Sequence, residues 1–281
     1  MGMTMAQKIL ARASGKDHVN VSEIVTTHVD VAMTHDAMGP LAFRAFEEIG
    51  AKKLWDPGKV YVHIEHSVPP IQGRAELGKI TREFALKHQT PFYDVREGIC
   101  FFVMMDKGHV RPAMLVLGTD SHTCTMGAVG AFATGIGSSE MGAVLATGRI
   151  WLKVPPTLRF DINGTLPPVV TAKDIMLHFA GRYGTDMANY RAIEYTGETI
   201  SRMGMDGRIT LCNMAVELGA KTGMVAADEV TVEFFAKRGI TIQPFGSDAD
   251  AEYEAVISLD VSNLEPQVAC PHDVGNVKSV G

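Results

Sequence analysis

Short runs rich in β-branched residues alternate along this chain with longer stretches whose apolar residues recur at helical spacing. That alternation restricts the fold to a layered α/β architecture. Residues 59–65 (KVYVHIE) and 113–118 (AMLVLG) read as strands. Between them, residues 72–89 place Leu77, Ile80, Phe84 and Ala85 on one helical stripe, with Arg and Lys side chains opposite. Strand, helix, strand in this order predicts parallel pairing. Residues 157–163 and 191–195 are further strands, flanking a helix over 172–181 that Thr171 opens with Asp174 three residues on. A helix over 210–218 ends at Gly219, where a left-handed cap suits glycine. Another carries Leu41, Phe43, Phe46 and Ile49 behind Asp36, whose carboxylate is expected to cap it. Residues 255–260 give a last strand. Loops at 166–168 and 197–207 suggest a first domain over 1–196, a second over 197–265, and a linker over 266–281, where Pro and Gly interrupt the pattern.

The apolar share, 46%, is ample for a core, so function rather than foldability is the open question. A net charge of -6 with both signs intermixed excludes a phosphate-backbone binder, which would need a basic stripe. No run approaches the roughly 18 apolar residues of a membrane span, and the first residues lack the apolar centre of a signal peptide. A cytoplasmic protein is expected, with neither nucleic acid nor membrane as partner. Cys100, Cys124, Cys212 and Cys270 form no CxxC pair; reduced, partly buried thiols are the reading, with no metal site assigned.

The richest chemistry lies in residues 117–137, LGTDSHTCTMGAVGAFATGIG, where an apolar strand runs into polar groups and then into glycines. Asp120, Ser121 and His122 bring an acceptor, a hydroxyl and an imidazole, and Gly127, Gly130, Gly135 and Gly137 would allow close backbone approach to a ligand. A hydrolytic triad is excluded by contiguity, since a working triad converges from separated positions. Zinc at His122 and Cys124 would be short of ligands. In YVHIEHSVPP, Glu65 sits beside His66 at a strand end, a pairing that tunes an imidazole for proton transfer; His63 reads as structural. His35 is expected to face a cleft. Asn213 and Glu217, four apart, would share a helix face suited to holding a water or hydroxide.

In order along the chain, THDAMGPLAF, EHSVPP, GTDSHTCTMGAVGAFATGIGSSEM, TLPPVVTAKDIMLH, MDGRITLCNMAVELGAKTG and LEPQVACPHDVGNVK resemble the large subunits of 3-isopropylmalate dehydratases and homoaconitases, members of the aconitase family. The resemblance spans essentially the whole chain. It implies aconitase-like three-layer α/β domains with largely parallel sheets. It also implies a hydro-lyase that removes water from a 2-hydroxy di- or tricarboxylate and re-adds it at the neighbouring carbon. In the complete family enzyme a [4Fe-4S] cluster acts as Lewis acid, and a small swivel-domain subunit brings a serine and substrate-binding arginines. By position, Glu65 with His66 and Asp120 with His122 correspond to the acid/base pairs, Ser121 and His35 to substrate or water contacts, and Asn213 and Glu217 to groups around the metal-bound oxygen.

Two departures stand out. Phe101 occupies the place of a histidine in the family's GICHQ segment, and Glu65 replaces an aspartate. General acid catalysis typically contributes about 100 to 10,000-fold, so losing that imidazole is expected to slow the reaction severely or redirect it, unless another acid such as His109 substitutes. The family's cluster cysteines, in a GSCTN segment and a downstream pair, have no counterpart among the four here. The expectation is a chain that by itself binds no cluster and does not turn over, either as part of the hydro-lyase or as a non-catalytic relative that binds a dicarboxylate or a partner subunit.

Overall fold

The structure, a computed structural model, describes residues 2–71 and 73–280. Gln72, where the first predicted helix was expected to open, lies outside the described residues, as do Met1 and Gly281, the outer bounds of the expected divisions.

Helix α1 (Met5–Ser14) is opened by a capping box between Thr4 and Gln7 and closed by Gly15 in the left-handed region. Strands β1 (Ile24–His28) and β2 (Val31–His35) follow, then α2 (Gly39–Glu48), β3 (Val60–His63), α3 (Ala75–His88), β4 (Phe92–Tyr93), α4 (Cys100–Asp106) and β5 (Leu115–Gly118). A 3-10 segment, Ser121–Val129, leads into β6 (Phe132–Gly135), α5 (Ser138–Thr147) and β7 (Arg149–Lys153). The remainder holds β8 (Thr157–Asn163), α6 (Ala172–Tyr183), β9 (Ala192–Thr196), α7 (Glu198–Arg202), α8 (Met205–Asn213), β10 (Thr222–Val225), α9 (Glu229–Ala236), β11 (Ala255–Asp260) and the pair β12 (Gln267–Ala269) and β13 (Val277–Ser279).

Two parallel sheets organise these elements. The first has order β4-β3-β2-β5-β6 and the second β10-β9-β8-β11; all pairings within both are parallel. Parallel strands need helical crossovers, which is why periods of two and 3.6 alternate in the sequence. One face of the first sheet packs Ala32, Val60, Val62, Leu115 and Leu117 against α1, α2, α3 and α5. The other face, through Met33, Val116 and Ala133, joins a second core with Leu158, Phe160, Ile162 and Tyr195 of the second sheet. Cys124, Met126 and Ala128 from the 3-10 segment sit in that second core.

The expected division after residue 196 falls between β9 and β10, which are hydrogen-bonded neighbours. The sheets themselves change over between β7 and β8. Residues 266–281, read as a linker, contain the antiparallel pair β12 and β13, with Gln267 N–H bonded to the Asp174 carboxylate at 2.7 Å. Pro and Gly there serve a tight reversal rather than an extended tether.

Gly127 shows what the glycine-rich run is for. A Cβ at this position would lie 1.8 Å from the Gly223 carbonyl oxygen in β10, and one at Gly135 would lie 2.4 Å from the Asp120 carbonyl. Both glycines admit neighbouring backbone, and Gly135 also lines a cavity with Asp120 and Ser121, where ligand approach was expected. Gly127→Ala is therefore predicted to destabilise the fold by about 2 to 3 kcal/mol through overpacking, read from a lowered urea midpoint.

Candidate functional site

Because β2, β3 and β5 are adjacent parallel strands, their carboxyl ends emerge along one edge of the first sheet, where such sheets place their ligands. His35 ends β2, Glu65 and His66 follow β3, and Asp120, Ser121 and His122 follow β5. Segments far apart in sequence are thus delivered to one place by topology alone.

Asp36 fixes the loop after β3. Its carboxylate accepts the backbone N–H groups of Glu65 (3.1 Å), His66 (3.0 Å) and Ser67 (3.0 Å). Burial pushes this carboxyl up, but the N–H donors of Glu65 and His66 outweigh it and hold it below the usual range. Asp36 was expected to cap the following helix; α2 begins instead behind Met38, without a side-chain cap. Asp36→Ala is predicted to cost about 2 kcal/mol and to speed hydrogen exchange at the amides of Glu65, His66 and Ser67, which amide exchange by NMR would detect.

Five of the sequence-predicted residues form an alternating file of carboxylates and imidazoles. Glu65 Oε1 lies 2.6 Å from His66 Nδ1, and His66 Nε2 lies 3.1 Å from Asp120 Oδ2. Asp120 Oδ1 is 3.6 Å from His122 Nδ1, and His122 Nε2 is 3.5 Å from Glu217 Oε1. Asp120 is centred in the file and also accepts the His122 backbone N–H at 2.6 Å. Ser121 Oγ stands 3.2 Å from His122 Nδ1. His35, 1% exposed, stacks under His66 with ring centroids 3.9 Å apart and has Nε2 3.6 Å from Asp120 Oδ2.

The charges follow from this geometry. His66, paired first with Asp120 and then with Glu65, has its pKa raised to about 10 and is an imidazolium at neutral pH. Asp120 is raised by burial but lowered more by His122 and His66, so it stays ionised. His122 is also raised, chiefly by Asp120. His35 moves the opposite way, because burial and then the adjacent His66 charge disfavour a second cation. The Ala37 N–H donates to His35 Nδ1 at 3.3 Å, which leaves the ring proton on Nε2, toward Asp120. The site thus holds a fixed cation at His66, an ionised Asp120 and a neutral N–H donor at His35 side by side.

Asn213 stands apart from the file. The predicted single helix over 210–218 is α8 up to Asn213 and then a 3-10 turn, Met214–Leu218, so the two residues do not share a regular helical face. Asn213 donates to Thr125 Oγ1 at 2.9 Å, tying α8 to the 3-10 segment after Asp120. With Glu217 it lines a neighbouring cavity of about 460 Å³, walled by Phe102, Leu177, Ile209 and Met214. Phe101 is buried in the core, and His109, the suggested substitute acid, bonds the Tyr93 hydroxyl instead of joining the file. Sequence reasoning missed Asp36 as the loop anchor and Cys100, buried next to Glu65, whose thiol is pushed up by burial and then by that carboxylate.

The cysteines do not fit an iron-sulfur cluster. Among the described residues the only group of three potential metal donors is His35, Glu65 and His66, with no sulfur in it. That trio is also poorly set for an ion. The His35 and His66 rings are nearly parallel, at 14°, so their lone pairs do not converge, and His35 keeps its proton on the nitrogen that would have to bind.

The structure is an α/β protein with two parallel sheets, the first of which gathers carboxylates and imidazoles at its strand ends. The model of the aconitase family (aconitate hydratase) matches residues 7–281, and the chain belongs to that family. The 3-isopropylmalate dehydratase large subunit 1 of Methanopyrus kandleri is 52% identical over all of this chain and 68% of its own length. A probable methanogen homoaconitase large subunit of Methanothermobacter thermautotrophicus is 44% identical over 99% of this chain and 67% of its own length. The 3-isopropylmalate dehydratase large subunit of Aquifex aeolicus is 43% identical over 100% and 66%. These relatives are hydro-lyase large subunits, a designation that implies a small-subunit partner, and the family implies an iron-sulfur cluster in its complete enzymes. Among the described residues no helix is long and apolar enough to cross a membrane.

Proposed function

We propose that this chain supplies acid/base groups for a hydro-lyase that dehydrates and rehydrates a 2-hydroxy di- or tricarboxylate, as a 3-isopropylmalate dehydratase-like large subunit working with a small swivel-domain subunit in the cytoplasm. The observation that carries this reading is the file Glu65, His66, Asp120, His122, Glu217, whose successive charged groups stand 2.6, 3.1, 3.6 and 3.5 Å apart. Dehydration asks for two proton movements: a base takes the C–H proton, and an acid protonates the departing hydroxyl so that it leaves as water. A file that alternates imidazolium and carboxylate contains both kinds of group within one molecule's reach. In this reading Glu65 with His66, and Asp120 with His122, move protons. Ser121 and the neutral N–H of His35 hold the substrate's oxygens, while Asn213 and Glu217 orient the water.

Among the described residues Glu65, Asp120 and Glu217 form ion pairs only with histidines, none with Lys or Arg. A dicarboxylate entering here meets carboxylates about as numerous as imidazolium charges, and the cations this chain itself brings near are Lys221, lining a cavity with Asp120 and Ser121, and Lys173, lining the one with Asn213 and Glu217. Cys100, Cys124, Cys212 and Cys270 do not form the donor set of a cluster.

A second reading, a non-catalytic relative that binds a dicarboxylate or a partner subunit, is favoured by the apolar Phe101 and by the dispersed cysteines. Calorimetric titration with a 2-hydroxydicarboxylate, before and after adding a family small subunit with the cluster-bearing segment, separates the two. Recovered hydration of a maleate-type acid supports the enzyme part; saturable binding without turnover supports the binder; no binding in either mixture overturns both.

A further inference from the structure

We infer that His109, Tyr93 and His63 form a proton path that runs along one face of the first sheet, across β4, β3 and β2, to His35 and Asp120. His35, His63 and Tyr93 are register partners on β2, β3 and β4, so their side chains leave the sheet on one face in a single row. The row is continuous at both ends. His66 stacks on His35 at 3.9 Å, His63 stacks on Tyr93 at 5.0 Å, and the Tyr93 hydroxyl is hydrogen-bonded to His109 Nε2. Tyr61, two residues before His63 on the same face, packs its ring 4.4 Å from His109 and holds that end in place.

The middle of the row carries the chemical clue. His63 is 1% exposed, and neither of its ring nitrogens has a hydrogen-bond partner; His35 Nε2 is in the same condition. Buried polar atoms are rarely left so, and each of these nitrogens would cost about 1 to 3 kcal/mol unpaired. Bridging waters satisfy them economically, because a neutral imidazole offers one donor and one acceptor on opposite sides. On the proposed path a water between His63 and Asp120 would receive the His35 Nε2 proton, which would make His35 a positioning residue for that water, and a second would join His63 to the Tyr93 hydroxyl.

Transfer along this row changes no oxidation state and breaks no bond to carbon. A proton arriving at partly exposed His109 passes to the Tyr93 oxygen as that hydroxyl releases its own. His63 takes it on one nitrogen and gives up the proton on the other, and the last water delivers one to Asp120. The reverse passage carries a proton out and restores every tautomer. The row would keep Asp120 in protonic contact with solvent when a ligand fills the mouth, whatever reaction that ligand undergoes.

The test needs no substrate, so its outcome is independent of the hydro-lyase reading. With the histidine rings labelled with nitrogen-15, NMR measures how fast the His63 ring proton exchanges with water. Tyr93→Phe keeps the ring stack and removes only the hydroxyl. It is expected to slow His63 exchange by about tenfold or more, leaving only local opening as a route, while His66 and His122 at the mouth are unchanged. His109→Gln is expected to do the same and serves if the first variant does not fold. Unaltered His63 exchange in a folded variant overturns the path, as does a high-resolution crystal structure showing only apolar atoms against both His63 nitrogens.

Discussion

Asp228→Ala is expected to lower folding stability by about 3 kcal/mol. Arg208 is the reason. Its guanidinium is fully buried, with Nη1 2.6 Å and Nη2 2.7 Å from the Asp228 carboxylate, while Nε donates to the Met203 carbonyl and Nη2 to that of Ile200, both at 3.0 Å. Removing the carboxylate strands a buried cation, and a pair broken on one side costs about 3 to 5 kcal/mol. The Asp228 side chain is 37% exposed, so water reaches it and the lower end applies. Asp228 also caps α9 through the Val230 N–H, a contact worth about 1 kcal/mol and already inside that range. Asp228→Asn keeps the cap and loses the charge, so it should fall between wild type and Asp228→Ala in urea denaturation. Arg208→Met, which leaves no orphaned buried charge, should cost less than Asp228→Ala. Equal losses for all three would show that packing rather than pairing holds α8 to α9.

What could be read from the sequence depended on whether a signal was local. Thr157–Asn163 and Ala255–Asp260 were assigned to the residue, because period-two patterns end there against breakers. The Thr171 and Asp174 capping box marked the start of α6 for the same reason. β4 carries only Phe92 and Tyr93, too short for any period to register. α8 gives way to a 3-10 turn at Met214, just after Asn213 is tied to Cys124 and Thr125 of the Ser121–Val129 segment, contacts that no helix-forming preference of Met214-Ala215-Val216 foretells. The gathering of the site was legible in part. Strand ends carrying Glu65, His66, Asp120 and His122 pointed to chemistry one by one, but only adjacency of β2, β3 and β5 puts them together, and strand order is a tertiary fact. Asp36 shows the limit: an acidic residue ahead of a helix suggests a cap, and only the neighbouring strand reveals three other N–H groups within reach.

Asp120→Asn is the change that reaches furthest into the site, and its main effect should appear in His66. The imidazolium is held first by Asp120 and then by Glu65, so removing the Asp120 charge should bring the His66 midpoint well down from about 10, while Glu65→Gln should lower it less. Proton NMR of the ring Cε1–H against pH measures both. Stability follows with a definite sign. His66 titrates higher in the folded protein than the ordinary 6.5, so its contribution is complete below that pH and is lost as pH rises through about 10. Asp120 is lowered from 3.8, so its own contribution is present above that pH and lost as pH falls below it. Asp120→Asn should therefore flatten the stability profile on both limbs, modestly on the alkaline one because the His66 side chain is 33% exposed. In a complete hydro-lyase containing this chain, the same change should reduce turnover by about 100 to 10,000-fold, the range for a lost acid/base group. A wild-type His66 that titrates near 6.5 would mean that the two carboxylates do not act on it, and the proton-moving role given to the file would have to be withdrawn.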